Sequence, residues 1–191
     1  MVCDLAEADD LAAVIDAQCR RDAGRLLTFF GMLPNFEPQI ILPRLGGLLR
    51  AKDWLLLSAN LAPGPDYAAG VRRILPQYDN APTRDWLMTF LLDLGVERTD
   101  GEFRFSIQDG PSSPGLKRVV AAYHFKQARR IQLADETIAF HRGNGLRVFF
   151  SYRYTPDRVR RLLGSHNIVV VEHWITRAEE EGVFLCQKRP R

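Results

Sequence analysis

The chain is poor in cysteine: Cys3, Cys19 and Cys186 are its three, and they are scattered. That spacing builds neither a disulfide framework nor a paired-cysteine metal knuckle. Long apolar runs are missing too. Trp54 to Leu57 is bounded by Lys52-Asp53 and Asn60, and Ile168 to Val171 by His166-Asn167 and Glu172. A bilayer span needs about 20 apolar residues, so no membrane partner is expected. Met1-Val2-Cys3-Asp4 lacks the basic start and apolar core of a secretion signal. No GxGxxG or close variant occurs, and Gly46-Gly47 and Gly143-Asn144-Gly145 have the wrong surroundings for a phosphate loop. His124, His141, His166 and His173 share no metal-ligand spacing, and no metal site is assigned. The expectation is a soluble, cytoplasmic protein.

What is present is ordinary globular material. Hydrophobic residues make up 46% and charged residues 26% of 191, enough chain for about one to one and a half domains. The net charge of +3 is unevenly placed. Residues 1–116 hold 11 Lys+Arg against 16 Asp+Glu, a balance of −5, and residues 117–191 hold 15 against 7, a balance of +8. A basic half can serve nucleic acid, but no ladder of stacking aromatics accompanies it, so nucleic acid is not the expected partner.

Three apolar runs with turn residues at their ends read as strands: Arg25 to Gly31, Trp54 to Asn60, and Ile168 to Val171. Their continuity suggests strands covered on both faces by helices. Leu11, Val14, Ile15 and Cys19 mark one face of a helix whose first turn carries Asp9 and Asp10. Asn35-Phe36-Glu37-Pro38 leads into a second helix, with Leu45, Leu48 and Leu49 as its buried face. Pro43 predicts a late start or a kink there. Thr155-Pro156-Asp157 opens a third, with Val159, Leu162 and Leu163 as its apolar face and Gly164 as its stop.

Between these lies a different texture. Ala62-Pro63-Gly64-Pro65 breaks the composition, residues 81–95 read as helix, and 102–154 as short strands. Asp109 to Gly115 and Arg142 to Gly145 read as the turns. The expected fold class is α/β: a partial Rossmann-like sheet holding an inserted α+β domain. The boundaries are 1–64 for the first part of the core, 65–151 for the insertion and 152–191 for the closing helix and strand pair.

Ligands of open α/β sheets bind beyond the carboxyl ends of the strands. That rule selects Asp4-Leu5, Gly31 to Asn35, and Asn60-Leu61. Gly31 lets backbone approach a ligand closely. Asn35 offers a donor and an acceptor, although it also suits a plain cap on the following helix.

In order along the chain, Val2-Cys3-Asp4-Leu5, Arg25 to Gly31, Asn35-Phe36-Glu37-Pro38 and Ser151-Tyr152-Arg153-Tyr154-Thr155-Pro156 resemble the C-terminal part of the histidine-specific N-alpha-methyltransferases of ergothioneine biosynthesis, which use S-adenosylmethionine. The likeness is good over 1–60 and 146–188 and weak in the insertion. It implies that Asp4 accepts the adenine amino group, with Leu5 beside the ring, and that Gly31 borders the methionine part of the cofactor. It further implies that Asn35 holds the substrate amine, that the Tyr of Tyr78-Asp79 binds the substrate carboxylate, and that Ser151 helps to hold the imidazole. The implied mechanism is in-line transfer of a sulfonium methyl to nitrogen, which needs positioning and assigns no catalytic residue.

The chain departs from that pattern at three places. The family has one more residue between the Gly and the Asn. Phe149 stands where its histidine-reading Glu belongs, which removes an acceptor for an imidazole N–H. The first strand with its Gly-rich turn, and the acidic residue that holds the ribose, have no counterpart. The expectation is therefore a fragment of a methyltransferase for a small amine or amino-acid-like substrate. In the implied sheet order 3-2-1-4-5-7-6, Arg25–Phe30 becomes an edge. The alternative is a non-catalytic module that forms a homo-oligomer or docks on a partner through that exposed edge.

Overall fold

The computed structural model describes residues 4–8, 10–20 and 22–190. Met1, Val2, Cys3 and Asp9, used above, lie outside them. None of the described helices is long and apolar enough to cross a membrane.

The chain forms a mixed α/β fold. Helix α1 (Leu11–Gln18) leads to β1 (Leu26–Phe29), α2 (Pro38–Leu48) and β2 (Trp54–Asn60). At the far end come α5 (Pro156–Ser165), β8 (Ile168–Ile175) and β9 (Glu181–Lys188). These strands make one sheet, ordered β1-β2-β9-β8. β1 and β2 are parallel, and β9 runs antiparallel to β2 and to β8. This is the order 4-5-7-6 of the implied sheet, with β1 at the edge.

Only one face of that sheet is packed by the described residues, which corrects the expectation of cover on both. Phe29, Leu55, Leu57, Phe184, Cys186 and Ile168 meet Ile41, Leu42 and Leu45 of α2 and Val159 and Leu163 of α5 in one core. On the opposite face Leu26 is 60% and Val171 54% exposed. Trp54, Leu56, Val183 and Leu185 are partly buried there and join neither hydrophobic core. The alternation along β2, Leu55 and Leu57 in against Trp54 and Leu56 out, is that of a strand with one packed face.

The middle of the chain builds a second unit of packing. Helices α3 (Tyr67–Tyr78) and α4 (Ala81–Asp93) precede β3 (Gly101–Gly110), β4 (Ser113–Phe125), the hairpin β5 (Arg129–Leu133) and β6 (Glu136–Phe140), and β7 (Gly145–Tyr152). β3, β4 and β7 form an antiparallel sheet. Its core brings Leu87, Met88 and Leu91 of α4 against Phe103, Ala121, Tyr123 and Phe125. The two sheets are joined at the end of β2. Leu61 bridges Tyr154 in parallel, Tyr154 N–H donates to the Asn60 carbonyl, and Ala62 N–H to the Tyr154 carbonyl, each at 2.8 Å.

Several local expectations change. Helix α2 starts at Pro38 and runs through Pro43. The ring deprives only the Gln39 carbonyl, which is exposed and so open to water. Helix α5 passes Gly164 and ends at Ser165, with Asn167 supplying the left-handed residue (φ 59°) beyond its cap. The stretch Asp109 to Gly115 is mostly strand; Gly110 faces Ser113 across a two-residue turn, and the register shift beside it is taken up near Gly115 at φ +76°. Helix α3 was not foreseen, although Asp66 caps it by accepting from Ala69 N–H at 2.9 Å.

One ion-pair network fixes the amino-terminal ends of β1 and β2. The Asp53 carboxylate, fully buried, accepts from Arg25 Nε at 2.9 Å, from Arg25 N–H at 3.1 Å and from Arg50 N–H at 2.7 Å. Arg25 reaches on to Asp16 of α1 at 2.6 Å and to the Leu48 carbonyl at the end of α2 at 2.6 Å. Burial by itself would push the Asp53 carboxyl up, but the hydrogen bonds from Arg25 and Arg50 outweigh it and hold it below its ordinary range.

Asp53→Asn is expected to cost about 3 kcal/mol in urea denaturation, at the lower end for a broken buried pair because Arg25 keeps Asp16. A carboxylate with a depressed folded pKa contributes stability that is present above the unfolded value of about 3.9 and lost as pH falls through the folded value. The urea midpoint should therefore drop more steeply below pH ~4 in the wild type than in Asp53→Asn. Equal acid dependence of the two would contradict this.

Candidate functional site

The joint between the sheets gathers polar side chains from four elements. Asn60 is the last residue of β2, Tyr78 the last of α3, Ser151 lies near the end of β7, and Arg153 follows β7. Ser151 Oγ stands 3.2 Å from Asn60 Nδ2, which donates to it, and 3.1 Å from the Tyr78 hydroxyl. Arg153 Nη2 donates to the Tyr78 hydroxyl, and the guanidinium lies over the Tyr78 ring, 5.1 Å from its centroid. Arg153 Nη1 also reaches the Leu61 and Glu180 carbonyls at 3.2 and 3.3 Å. Tyr67 steadies the same corner: its hydroxyl donates to the Arg153 carbonyl and accepts from Lys117 N–H, both at 2.7 Å.

An aromatic wall borders this cluster. Phe149 pairs with Ala121 two places before Ser151, so both side chains share one face of β7. Its ring lies 5.7 Å from that of Tyr78, and Trp86 of α4 meets it edge-on at 6.1 Å. Trp86 is 62% exposed.

The loop after β1 comes to the same side. Gly31 adopts φ +69° with open space where a Cβ would stand, and its N–H donates to buried Ser58 Oγ at 2.8 Å. Leu33–Asn35 make a short 3-10 turn that packs against β7 and β2. Asn35 does not cap α2: its Nδ2 turns back to the Gly31 carbonyl at 3.4 Å, and Glu37 occupies the cap position. The Glu37 carboxylate ties the loop to the second sheet by accepting from Arg118 Nη1 at 2.7 Å and the Tyr152 hydroxyl at 2.6 Å.

The remaining candidates stand elsewhere. Asp79 is occupied by Arg84, whose Nε donates at 2.9 Å and whose Nη1 reaches the Phe103 carbonyl, so it serves the junction of α3 and α4. Asp4 is exposed, and its Oδ1 accepts from Ala6 N–H at 2.8 Å. Leu5 lines a hollow of about 200 Å³ with Ala8, Leu11, Ala12, Arg44, Gly47 and Leu48, which neither Gly31 nor Asn35 lines. Sequence reasoning joined Tyr78 with Ser151 and selected Asn60-Leu61 as a strand's carboxyl end, but gave no part to Arg153 or Trp86. Arg153 carried no local signal.

Residues 102–188, somewhat under half of the chain, match the family of histidine-specific, S-adenosylmethionine-dependent methyltransferases. The match takes in much of the stretch where the resemblance of motifs is weak and does not reach 1–60. No curated protein matches the chain. Among solved structures it is similar to an S-adenosylmethionine-dependent methyltransferase from Clostridium acetobutylicum, with 8% identity and a TM-score of 0.44 over 100% of this chain and 64% of that one. It is also similar to the CcbJ methyltransferase from Streptomyces caelestis, with 9% identity and a TM-score of 0.42 over 100% and 63%. A third is the glycopeptide N-methyltransferase MtfA complexed with S-adenosylmethionine, with 13% identity and a TM-score of 0.37 over 100% and 64%. The chain thus spans less than two thirds of the length of each.

Four of the five tyrosines sit in or beside this joint and its neighbouring core in ways that oppose ionisation. Burial pushes Tyr67, Tyr123, Tyr152 and Tyr154 up, and at Tyr152 the Glu37 carboxylate adds to it. In an ultraviolet titration of the folded protein these four should each be less than half ionised at pH ~10, where free tyrosine is half ionised. Ionisation of most of the five below that pH, with the fold intact, would contradict the packing described.

Proposed function

We propose that the protein is a cytoplasmic, S-adenosylmethionine-dependent N-methyltransferase acting on a small amine or amino-acid-like substrate. The 191 residues then carry the substrate side and one wall of the cofactor site. The observation that carries this reading is the convergence of Asn60, Tyr78 and Ser151 on one joint, with the Gly31–Asn35 turn packed beside it. The family match over 102–188 covers Ser151 and lends the reaction class.

In this reading the cofactor supplies an electrophilic methyl group. Two separate places in the chain offer groups to it. Gly31 offers open backbone, and Asp4 keeps Oδ2 free of partners among the described residues, so it can accept from an exocyclic amine. Tyr78 and Ser151 orient the substrate by hydrogen bonds, and Asn35 can accept from the amine N–H through Oδ1 while its Nδ2 keeps the long contact with the Gly31 carbonyl. Their work is to hold nitrogen and methyl in line, which accounts for most of such a rate enhancement. Histidine is not the favoured acceptor, because Phe149 presents a ring where the imidazole N–H needs an acceptor. The Gly-rich turn and the ribose-binding acid are supplied by polypeptide outside the 191 residues.

Isothermal titration with S-adenosylhomocysteine tests this division. The 191 residues alone should bind it weakly or not at all, and an in-frame strand ending in a Gly-rich turn should be encoded upstream. Tight binding by the 191 residues alone would refute the division.

A second reading rests on the free edge of β1 and the unpacked face beside it, with Leu26 and Val171 exposed. Such an edge invites strand pairing, so the chain could act as a module that self-associates or docks on a partner. Sedimentation equilibrium separates the two. This reading expects a dimer that Leu26→Lys disrupts, whereas a monomer indifferent to that change removes it.

A further inference from the structure

Helix α5 carries three arginines close together, and they are not equivalent. Arg160 turns to Asp157, 3.1 Å away, and to the ring of His173. Arg158 and Arg161 stand three residues apart on one face of the helix. Neither has a carboxylate within ion-pair distance among the described residues. Like charges at that spacing oppose each other. Arg158 also lies in the first turn of α5, where a cation meets the positive end of the helix dipole.

Arg158 is nonetheless held in place. It is half-buried, and its guanidinium lies over the Tyr67 ring, 4.3 Å from the centroid. The Tyr67 hydroxyl is itself fixed by the Arg153 carbonyl and Lys117 N–H. The chain between β3 and β4 comes close as well: a Cβ on Gly115 would stand 3.9 Å from Arg158 Nη1. Stacking covers the flat face of the guanidinium and leaves its N–H edge for a partner in the plane.

Arg158 and Arg161 line a hollow of about 410 Å³ together with Ser112, Ser113, Leu116 and Leu162. Neither serine hydroxyl has a hydrogen-bond partner among the described residues. Asp109, the acid nearest along the hairpin, is taken by Lys117 at 3.0 Å. The hollow therefore gathers two cations and two free hydroxyls beside an apolar surface. It shares no lining residue with the joint of Asn60, Tyr78 and Ser151.

We propose that this hollow is a binding site for the phosphoryl group of a small phosphate monoester. A monoester carries close to two negative charges at neutral pH, and its three terminal oxygens match two guanidinium edges and two hydroxyls. Leu116 and Leu162 receive the organic part. The assignment holds whatever the joint binds.

The test is calorimetric titration of the 191-residue chain at pH ~7.5, where the monoester is a dianion. The probes are phenyl phosphate, benzoate and inorganic phosphate at constant ionic strength. Phenyl phosphate should bind about tenfold more tightly than benzoate, which brings one charge and two oxygens. It should also bind more tightly than inorganic phosphate, which leaves the apolar surface bare. Arg161→Gln should weaken phenyl phosphate about tenfold, and Arg158→Gln at least as much. Arg160→Gln removes the same charge from the same helix and should change its affinity by less than about twofold. Arg161 is exposed and makes no hydrogen bond or ion pair among the described residues, so its variant decides even where Arg158→Gln does not fold. Equal losses from Arg160→Gln and Arg161→Gln would reveal diffuse attraction to a basic helix and overturn the proposal. Phenyl phosphate no tighter than benzoate or inorganic phosphate would overturn it too, as would no binding of phenyl phosphate at millimolar concentration. An oligothymidylate that binds more tightly, and that all three variants weaken alike, would make α5 a nucleic-acid surface instead.

Discussion

The parallel bridge between Leu61 and Tyr154 is the contact on which the candidate site depends. It extends β2 just past its carboxyl end and seizes the segment that follows β7, through backbone bonds at Asn60 and Ala62. Two sheets with separate cores meet there, and side chains distant in sequence are carried into one corner. Asn60 and Ser151 are separated by 91 residues yet stand within hydrogen-bond distance. Backbone bonds between flanking residues fix such a pair more firmly than side-chain attraction does, because the ordering entropy has already been met by the sheets. Buried Arg118 and Glu37 do the corresponding work for the loop after β1, anchoring it to β4 and β7.

Polar groups inside a protein are worth more when they are satisfied and cost more when they are not. Three arginines are buried among the described residues, Arg25, Arg118 and Arg153, and they illustrate the difference. At Arg25 and Arg118 carboxylates close the account, and those sites read as architecture. Arg153 is held by carbonyls and an aromatic ring instead. Its neighbours Tyr78, Ser151 and Asn60 add donors without adding an acceptor of negative charge. A protein that keeps such a corner next to a strand's carboxyl end has placed it where open α/β sheets receive ligands.

Much of this was legible in the residues, and what was not has physical reasons. β1, β2 and β8 announce themselves as apolar runs, and Thr155-Pro156-Asp157 starts α5 where its chemistry says it must. Burial on one face or two is a tertiary fact. The unbroken runs of β2 and β8 suggested two covers, and the structure has one. Helix α3 escaped notice because Pro76 and the preceding Ala62-Pro63-Gly64-Pro65 look like a loop, while its apolar side is little more than Val71 and Ile74. Tyr78 and Ser151 were joined by resemblance, and the structure brings them together. Asp79, one residue along, is drawn away by Arg84. Arg153 could not have been singled out from sequence, since its distinction is the lack of a carboxylate partner among the described residues, which only packing reveals.

The account stands or falls on whether Tyr78 and Ser151 share one connected polar cluster at the joint. A double-mutant cycle of Tyr78→Phe and Ser151→Ala, read by urea denaturation, measures this directly. A coupling energy of about 1 kcal/mol is expected for a buried hydroxyl pair in contact. Additive effects within error would mean that the two hydroxyls do not meet, and the joint would lose its claim to be a binding site.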